Sequence, residues 1–127
     1  MEATKFTSAK AIQTELIKGI KAANSGGSTL AIGGGNTADY TLGSALIGVN
    51  NTLKGTESDI SQYNAVTGFN NTATGVSNVT VTGTNNNVTD STAIVNLGNE
   101  NAVSESNNTI LLGDNRTVTG SDNSIIL

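Results

Sequence analysis

Ala65-Val66-Thr67-Gly68-Phe69-Asn70-Asn71-Thr72-Ala73-Thr74-Gly75 is followed, fifteen residues later, by Thr80-Val81-Thr82-Gly83-Thr84-Asn85-Asn86-Asn87-Val88-Thr89-Asp90. The two stretches share one plan: a small or β-branched run, a glycine, an asparagine pair, a second short run around an apolar residue, and a closing turn residue. Outward from this pair the same glycine recurs as Gly33, Gly48, Gly68, Gly83, Gly98 and Gly113, always fifteen residues apart except for one step of twenty between Gly48 and Gly68. A fixed period of that size marks a stack of similar units. Seven residues beyond most of these glycines stand Gly55, Gly75 and Gly120, with Asp90 and Glu105 in the same register. Each unit is thus expected to have two arms and two corners, the first corner built from glycine and asparagine because both tolerate positive φ.

The arms differ in pattern. One and three residues before the glycine stand pairs such as Ile32 and Leu30, Ile47 and Ala45, Leu97 and Val95, and Leu112 and Ile110. Two before it, on the opposite side of an extended chain, stand Ala31, Leu46, Val66, Val81, Asn96 and Leu111. Both faces of the first arm are largely apolar, as in a strand covered on both sides. In the second arm a single apolar residue five beyond the glycine, Ala38, Leu53, Ala73, Val88, Val103 or Val118, is flanked mostly by polar residues. One of its faces points in and the other meets water. Fifteen residues at ~3.3 Å make a circuit of roughly 50 Å, and about six such coils stacked at ~4.8 Å make a parallel β-roll nearly 30 Å tall. Another copy of the chain is the simplest cover for the extra apolar face, so an obligate homo-oligomer is expected. Leu46, Ile47, Val66, Val81, Leu97, Leu111 and Leu112 are the candidate core and subunit-contact residues. The next glycine of the ruler would be residue 128, so the array is expected to continue beyond Leu127.

Composition agrees with a repeat fold. The chain has 127 residues, 3% aromatic side chains, and no cysteine, histidine or proline. Disulfides, thiolate zinc sites and imidazole catalysis are therefore excluded, and every backbone N–H is free to join a ladder. No catalytic residue, cofactor or metal is predicted. The net charge is −4, and after residue 27 only Lys54 and Arg116 face eight acids. Such a surface repels phosphate backbones and offers bases nothing to stack on, which argues against nucleic acid. No run approaches the ~18 apolar residues of a membrane helix, and the N-terminus lacks the layout of a secretion signal. Direct membrane insertion is not expected; the chain is either cytosolic or a mature part of an exported protein.

Residues 1–27 form a separate unit. From Ala3 to Asn24 good helix formers carry Phe6, Ala9, Leu16, Ile20 and Ala23, with Gln13 in the same stripe, at three- and four-residue steps, which predicts an amphipathic α-helix, either packed on the roll or part of a coiled coil. Asn24-Ser25-Gly26-Gly27 would end it as a flexible joint. Residues 28–127 form the roll.

The segments Ala31-Ile32-Gly33, Ala45-Leu46-Ile47-Gly48, Ala93-Ile94-Val95-Asn96-Leu97-Gly98 and Thr109-Ile110-Leu111-Leu112-Gly113, each with its polar corner, resemble the head repeats of YadA-like trimeric autotransporter adhesins. The resemblance covers about residues 28–127 and rests on six registered copies. It implies a left-handed parallel β-roll of 14–15-residue coils and a homotrimeric head. It further implies a bacterial cell-surface location, outer-membrane anchored in the full-length protein, and attachment to a host cell or an extracellular-matrix protein. Where that family has alanine and serine at its corners, this chain has asparagine. Two other readings of the array are a structural segment of a phage tail fibre and an ice-binding solenoid. The latter is suggested by Thr72-Ala73-Thr74, Thr80-Val81-Thr82 and Thr117-Val118-Thr119, which do not share one register.

The twenty-residue step singles out Thr56-Glu57-Ser58-Asp59-Ile60-Ser61-Gln62-Tyr63-Asn64, a segment with five extra residues that should emerge as a loop. Glu57, Asp59, Gln62 and Tyr63, with Val49 and Phe69 expected nearby, are the candidate ligand-binding residues. A plainer reading stands beside this one: a tolerated insertion whose apolar neighbours cover its base. Gly33-Gly34-Gly35-Asn36-Thr37-Ala38-Asp39 has the look of a calcium turn but occurs once, where that chemistry needs a nine-residue repeat. Asn50, Asn70, Asn78, Asn87, Asn107 and Asn115 each start an Asn-x-Thr sequon, a pattern that an asparagine- and threonine-rich repeat also generates by composition.

Overall fold

The computed structural model describes residues 28–127 and the backbone of the strand Ile20–Ala23. The chain winds as a β-solenoid of about six coils. First-arm strands Thr29–Ile32, Ala45–Val49, Ala65–Phe69, Thr80–Thr84, Thr92–Asn99, Asn107–Leu112 and Asp122–Ile126 stack in parallel as the body of an eight-stranded sheet. Second-arm strands Thr37–Asp39, Thr52–Lys54, Thr72–Thr74, Asn87–Thr89, Ala102–Ser104 and Thr117–Thr119 form a six-stranded sheet. The ruler glycines pair with one another across coils, Gly48 with Gly68, Gly68 with Gly83 and Gly83 with Gly98. Register is therefore kept even across the twenty-residue step.

Inside the coil the residue two before the glycine and the residue five after it meet. Leu46, Val66, Val81 and Leu111 from the first arm pack with Leu53, Ala73, Val88 and Val103 from the second, each no more than 1% exposed. These side chains are short because the two sheets are the two walls of a single thin coil, which leaves no room for aromatic rings. Ile47, Leu97 and Leu112 point the other way and are exposed.

The asparagine pair divides between two tasks. Its first member takes the left-handed corner conformation, with φ of 57° at Asn50, Asn70 and Asn85, an angle shared by Asn115, which Arg116 follows. Its second member turns inward, where Asn51 and Asn71 are fully buried and Asn36, Asn86 and Asn101 nearly so. There the amides form a ladder along the stack. Each Nδ2 donates to the carbonyl of the next coil's ruler glycine: Asn36 to Gly48, Asn51 to Gly68 and Asn71 to Gly83 at 2.8 Å, Asn86 to Gly98 and Asn101 to Gly113 at 2.7 Å. Each Oδ1 accepts the backbone N–H of the next asparagine, as in Asn86 to Asn71 and Asn101 to Asn86 at 3.0 Å. The ruler glycines lie so close along the stack that a Cβ on Gly83 would overlap the Gly98 carbonyl oxygen. Their φ values of 113° to 145° also exclude ordinary side chains.

A third corner completes the coil and corrects the expected two-cornered plan. Five residues before each glycine the chain again turns left-handed, at Ser28, Gly43, Tyr63, Asn78, Ala93, Asn108 and Asn123. Between this corner and the one marked by Gly75, Asp90, Glu105 and Gly120 runs a two-residue side, Thr41–Leu42 in one coil and Ser61–Gln62 in the next, continued by bridges through Ser77 to Thr92. Buried serines line it as a second polar ladder. Ser61, Ser91 and Ser106 each accept, on the hydroxyl, the backbone N–H of the equivalent residue in the next coil, Val76, Ser106 and Ser121, at 3.1 Å.

Ile20–Ala23, the last turn of the expected helix, is instead a strand antiparallel to Thr29–Ile32, with Ile20 opposite Ile32 and Ala23 opposite Thr29. The exposed edge of the first coil offers unpaired backbone groups, and pairing with them outweighs the modest helix propensity of four residues. The rest of the predicted helix, residues 3–19 and Asn24, lies outside the described residues.

Two stability effects follow. Asn71→Ala removes the acceptor for the Asn86 N–H and a donor to the Gly83 carbonyl, and at roughly 1–3 kcal/mol per orphaned buried group it should destabilise the fold by about 3 kcal/mol. Asn70→Gly, which keeps the corner's backbone preference, should change stability little; denaturant unfolding compares the two. Ala93 holds φ of 57°, a conformation that costs a residue with a Cβ about 1–2 kcal/mol, so Ala93→Gly should raise the unfolding midpoint.

Candidate interaction surfaces

The outward face of the first arm is the principal apolar surface. Leu30, Ile47, Leu97, Ile110, Leu112 and Ile125 are 36–72% exposed on it. They are exposed because strand alternation leaves no choice: Leu46 and Leu111 occupy the interior, so Ile47, Ile110 and Leu112 must face out. The apolar residues concentrate toward the two ends of the stack, while Thr67, Thr80 and Thr82 occupy its middle. The second arm, by contrast, shows water a hydroxyl-rich face of Thr52, Thr72, Thr74, Thr89, Ser104, Thr117 and Thr119. Two of the three Thr-x-Thr segments lie on this face and the third, Thr80-Val81-Thr82, lies on the first arm.

The five added residues are Thr56–Ile60, extruded between the second corner and the short third side. Their neck is closed by two hydrogen bonds to consecutive carbonyls of the preceding coil: Gly55 N–H donates to Asp39 at 2.9 Å and Ser61 N–H to Tyr40 at 3.0 Å. Gly55 is required there, since a Cβ would meet the Ser61 nitrogen, the Tyr40 oxygen and the Asp59 oxygen together. Within the loop Thr56 N–H donates to the Asp59 carbonyl at 2.8 Å, and Asp59 N–H donates to the Thr56 hydroxyl at 3.0 Å. Glu57 and Asp59 are exposed, and Gln62 is half-buried on the short side.

Tyr63 is not part of the extrusion. It holds a regular third-corner position with φ of 60°, 58% exposed, its ring lying against the bare Cα of Gly43 in the preceding coil. Val49 and Phe69, 45% and 48% exposed, stand one residue past the ruler glycine at the first corner. The first arm, Ala45–Val49 or Ala65–Phe69, separates that corner from the third, a span of roughly 15 Å at ~3.3 Å per residue. The expected cluster therefore resolves into two surfaces: Glu57, Asp59, Gln62 and Tyr63 at one end of the coil, and Val49 with Phe69 at the other.

Asp90 and Glu105 occupy equivalent second corners in consecutive coils and both are exposed. Among the described residues no group of three or more His, Cys, Asp or Glu side chains is placed to hold a metal ion. Comparison with protein-family models and with curated proteins finds no match.

Because the neck bonds tie Gly55 and Ser61 to adjacent carbonyls, the loop is expected to be dispensable to the fold. Deleting Thr56–Ile60 restores the fifteen-residue period and should leave the β-sheet circular dichroism and the unfolding midpoint close to those of the parent, whereas a collapse of both would show that the loop supports the stack.

Proposed function

We propose that this chain is the attachment head of a bacterial surface adhesin, a homotrimer of left-handed β-rolls without catalytic activity that binds a host cell or an extracellular-matrix protein. The observation carrying this reading is the outward apolar face of the first arm. Leu and Ile side chains exposed toward both ends of a rigid sheet are a surface that water disfavours, at about 25 cal/mol for each Å² left uncovered. A second copy of the same face covers it most simply. Closure with cyclic symmetry then buries the face in every protomer and leaves none open for fibre growth.

The rest of the surface suits a passive scaffold. Two ladders of polar side chains stiffen the coil, the charge is net negative, and the Thr56–Ile60 loop projects from one corner of each copy. Three such loops on one rigid body engage a repetitive target with an avidity beyond any single contact. The likeness of the repeats to adhesin heads supports the same reading.

Sedimentation equilibrium is expected to give about three times the 12.8 kDa chain mass. Leu112→Asp and Ile47→Asp should dissociate the assembly, because a carboxylate in a dry interface opposes burial. A parent chain that sediments as a folded monomer contradicts the proposal at its first step. Attachment is tested separately by binding of the trimer to immobilised collagen, fibronectin and laminin; loss of binding on deleting Thr56–Ile60, with the trimer intact, assigns the loop.

A further inference from the structure

Placed on the fold, the sequons differ at the hydroxyl and not at the acceptor. All six acceptor asparagines are exposed, whereas none of the buried asparagines, among them Asn51, Asn71, Asn86 and Asn101, begins a sequon. Exposure of the acceptor is only half of what a glycosylating enzyme needs, since it must also reach the hydroxyl two residues on. At Asn107 that hydroxyl is closed: Thr109 is fully buried, and its Oγ1 donates to the Asn107 carbonyl at 3.0 Å and to the Ser121 carbonyl at 3.2 Å. At the first corner the arrangement is open. Asn50, Asn70 and Asn115 stand in the left-handed turn with φ of 57°, the residue between acceptor and hydroxyl is the buried Asn51 or Asn71 in the first two and the exposed Arg116 in the third, and Thr52, Thr72 and Thr117 lie on the outer face of the second arm. Acceptor and hydroxyl therefore project to the same side. Asn70 alone among these three has its amide engaged by another side chain of the described residues, donating to Asn85 Oδ1 at 2.8 Å.

We infer that Asn50 and Asn115, and Asn70 once its contact with Asn85 opens, are N-glycan acceptor sites presented by the folded solenoid. In the reaction the Asn Nδ2 forms a bond to the anomeric carbon of a sugar activated as a glycosyl phosphate ester. The bond from that carbon to the phosphate oxygen breaks, the phosphate leaves with the electron pair, and the amide nitrogen gives up one of its two protons, which passes to a base of the transferring enzyme and from there to the released phosphate or water. The donor is either a nucleoside diphosphate sugar or a lipid-linked pyrophosphate sugar; both offer the same electrophilic carbon.

The test uses the folded full chain, followed by intact mass and peptide mapping. One arm supplies UDP-glucose and a soluble asparagine glucosyltransferase. The other supplies a lipid-linked oligosaccharide and a membrane oligosaccharyltransferase, and the arm that labels the chain identifies the donor class. Sugar on Asn50 and Asn115 with Asn107 bare is the expected pattern. Thr117→Ala should abolish labelling at Asn115 alone, with the circular dichroism unchanged because Thr117 faces outward. Absence of sugar from both corner sites in both arms overturns the inference, as does labelling of Asn107 equal to that of the corners.

Discussion

The fold depends on one close approach, the stacking of glycine on glycine at the first corner with a buried asparagine amide bridging each step. With no Cβ at the ruler position, successive coils come near enough for Asn71 Nδ2 to reach the Gly83 carbonyl while its Oδ1 takes the Asn86 N–H. The bridge supplies register, which the apolar interior cannot. Val66, Val81, Ala73 and Val88 are small and nearly interchangeable, so a slipped coil would bury about as much apolar surface as a correct one. An amide that must meet one carbonyl and one N–H has a single solution, and a slip of one residue turns it to the outside.

That requirement explains how the chain absorbs both its irregularities. The twenty-residue coil keeps the same bridge, Asn71 N–H to Asn51 Oδ1 at 3.1 Å and Asn51 Nδ2 to the Gly68 carbonyl at 2.8 Å, because Thr56–Ile60 leave and re-enter between adjacent hydrogen bonds. Asn96 is the second irregularity. It replaces an apolar residue in the interior rank and is fully buried; its Oδ1 accepts from Asn101 Nδ2 at 3.0 Å, but its own Nδ2 has no partner among the described residues. One such orphaned donor costs about 1–3 kcal/mol. A stack whose every coil is held by its neighbours on both sides spreads that cost over the ladder.

The period, the parallel stacking and the doubly apolar first arm were legible in the sequence, because glycine spacing and alternation are direct imprints of coil length and sheet face. The asparagine pairs were not legible in full. Asparagine favours left-handed corners and also makes buried amide ladders, so Asn70 and Asn71 read alike although one meets water and the other none. The third corner is hard to read from sequence for a different reason: Ser28, Tyr63 and Ala93 carry no strong turn signature, and only Gly43, Asn78, Asn108 and Asn123 in common register mark it. Ile20–Ala23 suited a helix by pattern and became a strand by proximity to an edge. At the candidate surfaces, Glu57 and Asp59 lie on the extruded loop that the twenty-residue step marks. Tyr63 stands at the corner beside that loop, whereas Val49 and Phe69, near it in sequence, stand at the opposite corner, because a coiled path does not preserve closeness in sequence.

The same geometry separates stability from recognition. Positions that hold the stack, the ruler glycines, the inward asparagines, the serines of the short side and the small apolar pairs, face the interior or the neighbouring coil. Positions free to vary face outward at the corners, and there the chain carries its loop, exposed acids such as Asp90 and Glu105, the side chains of Tyr63 and Phe69, and its corner sequons. Each coil touches only the coil on either side, so a change at one corner is not transmitted along the stack. The first-arm face is the exception. Its leucines and isoleucines stand toward the two ends of the stack, with Thr67, Thr80 and Thr82 between them, and the fold of a single chain gains nothing from them, since Leu112 and Ile110 remain about half exposed beside a fully buried Leu111. The proposed assembly would give these side chains the cover that a single chain lacks, because the same face on a second copy presents apolar side chains at the same two ends.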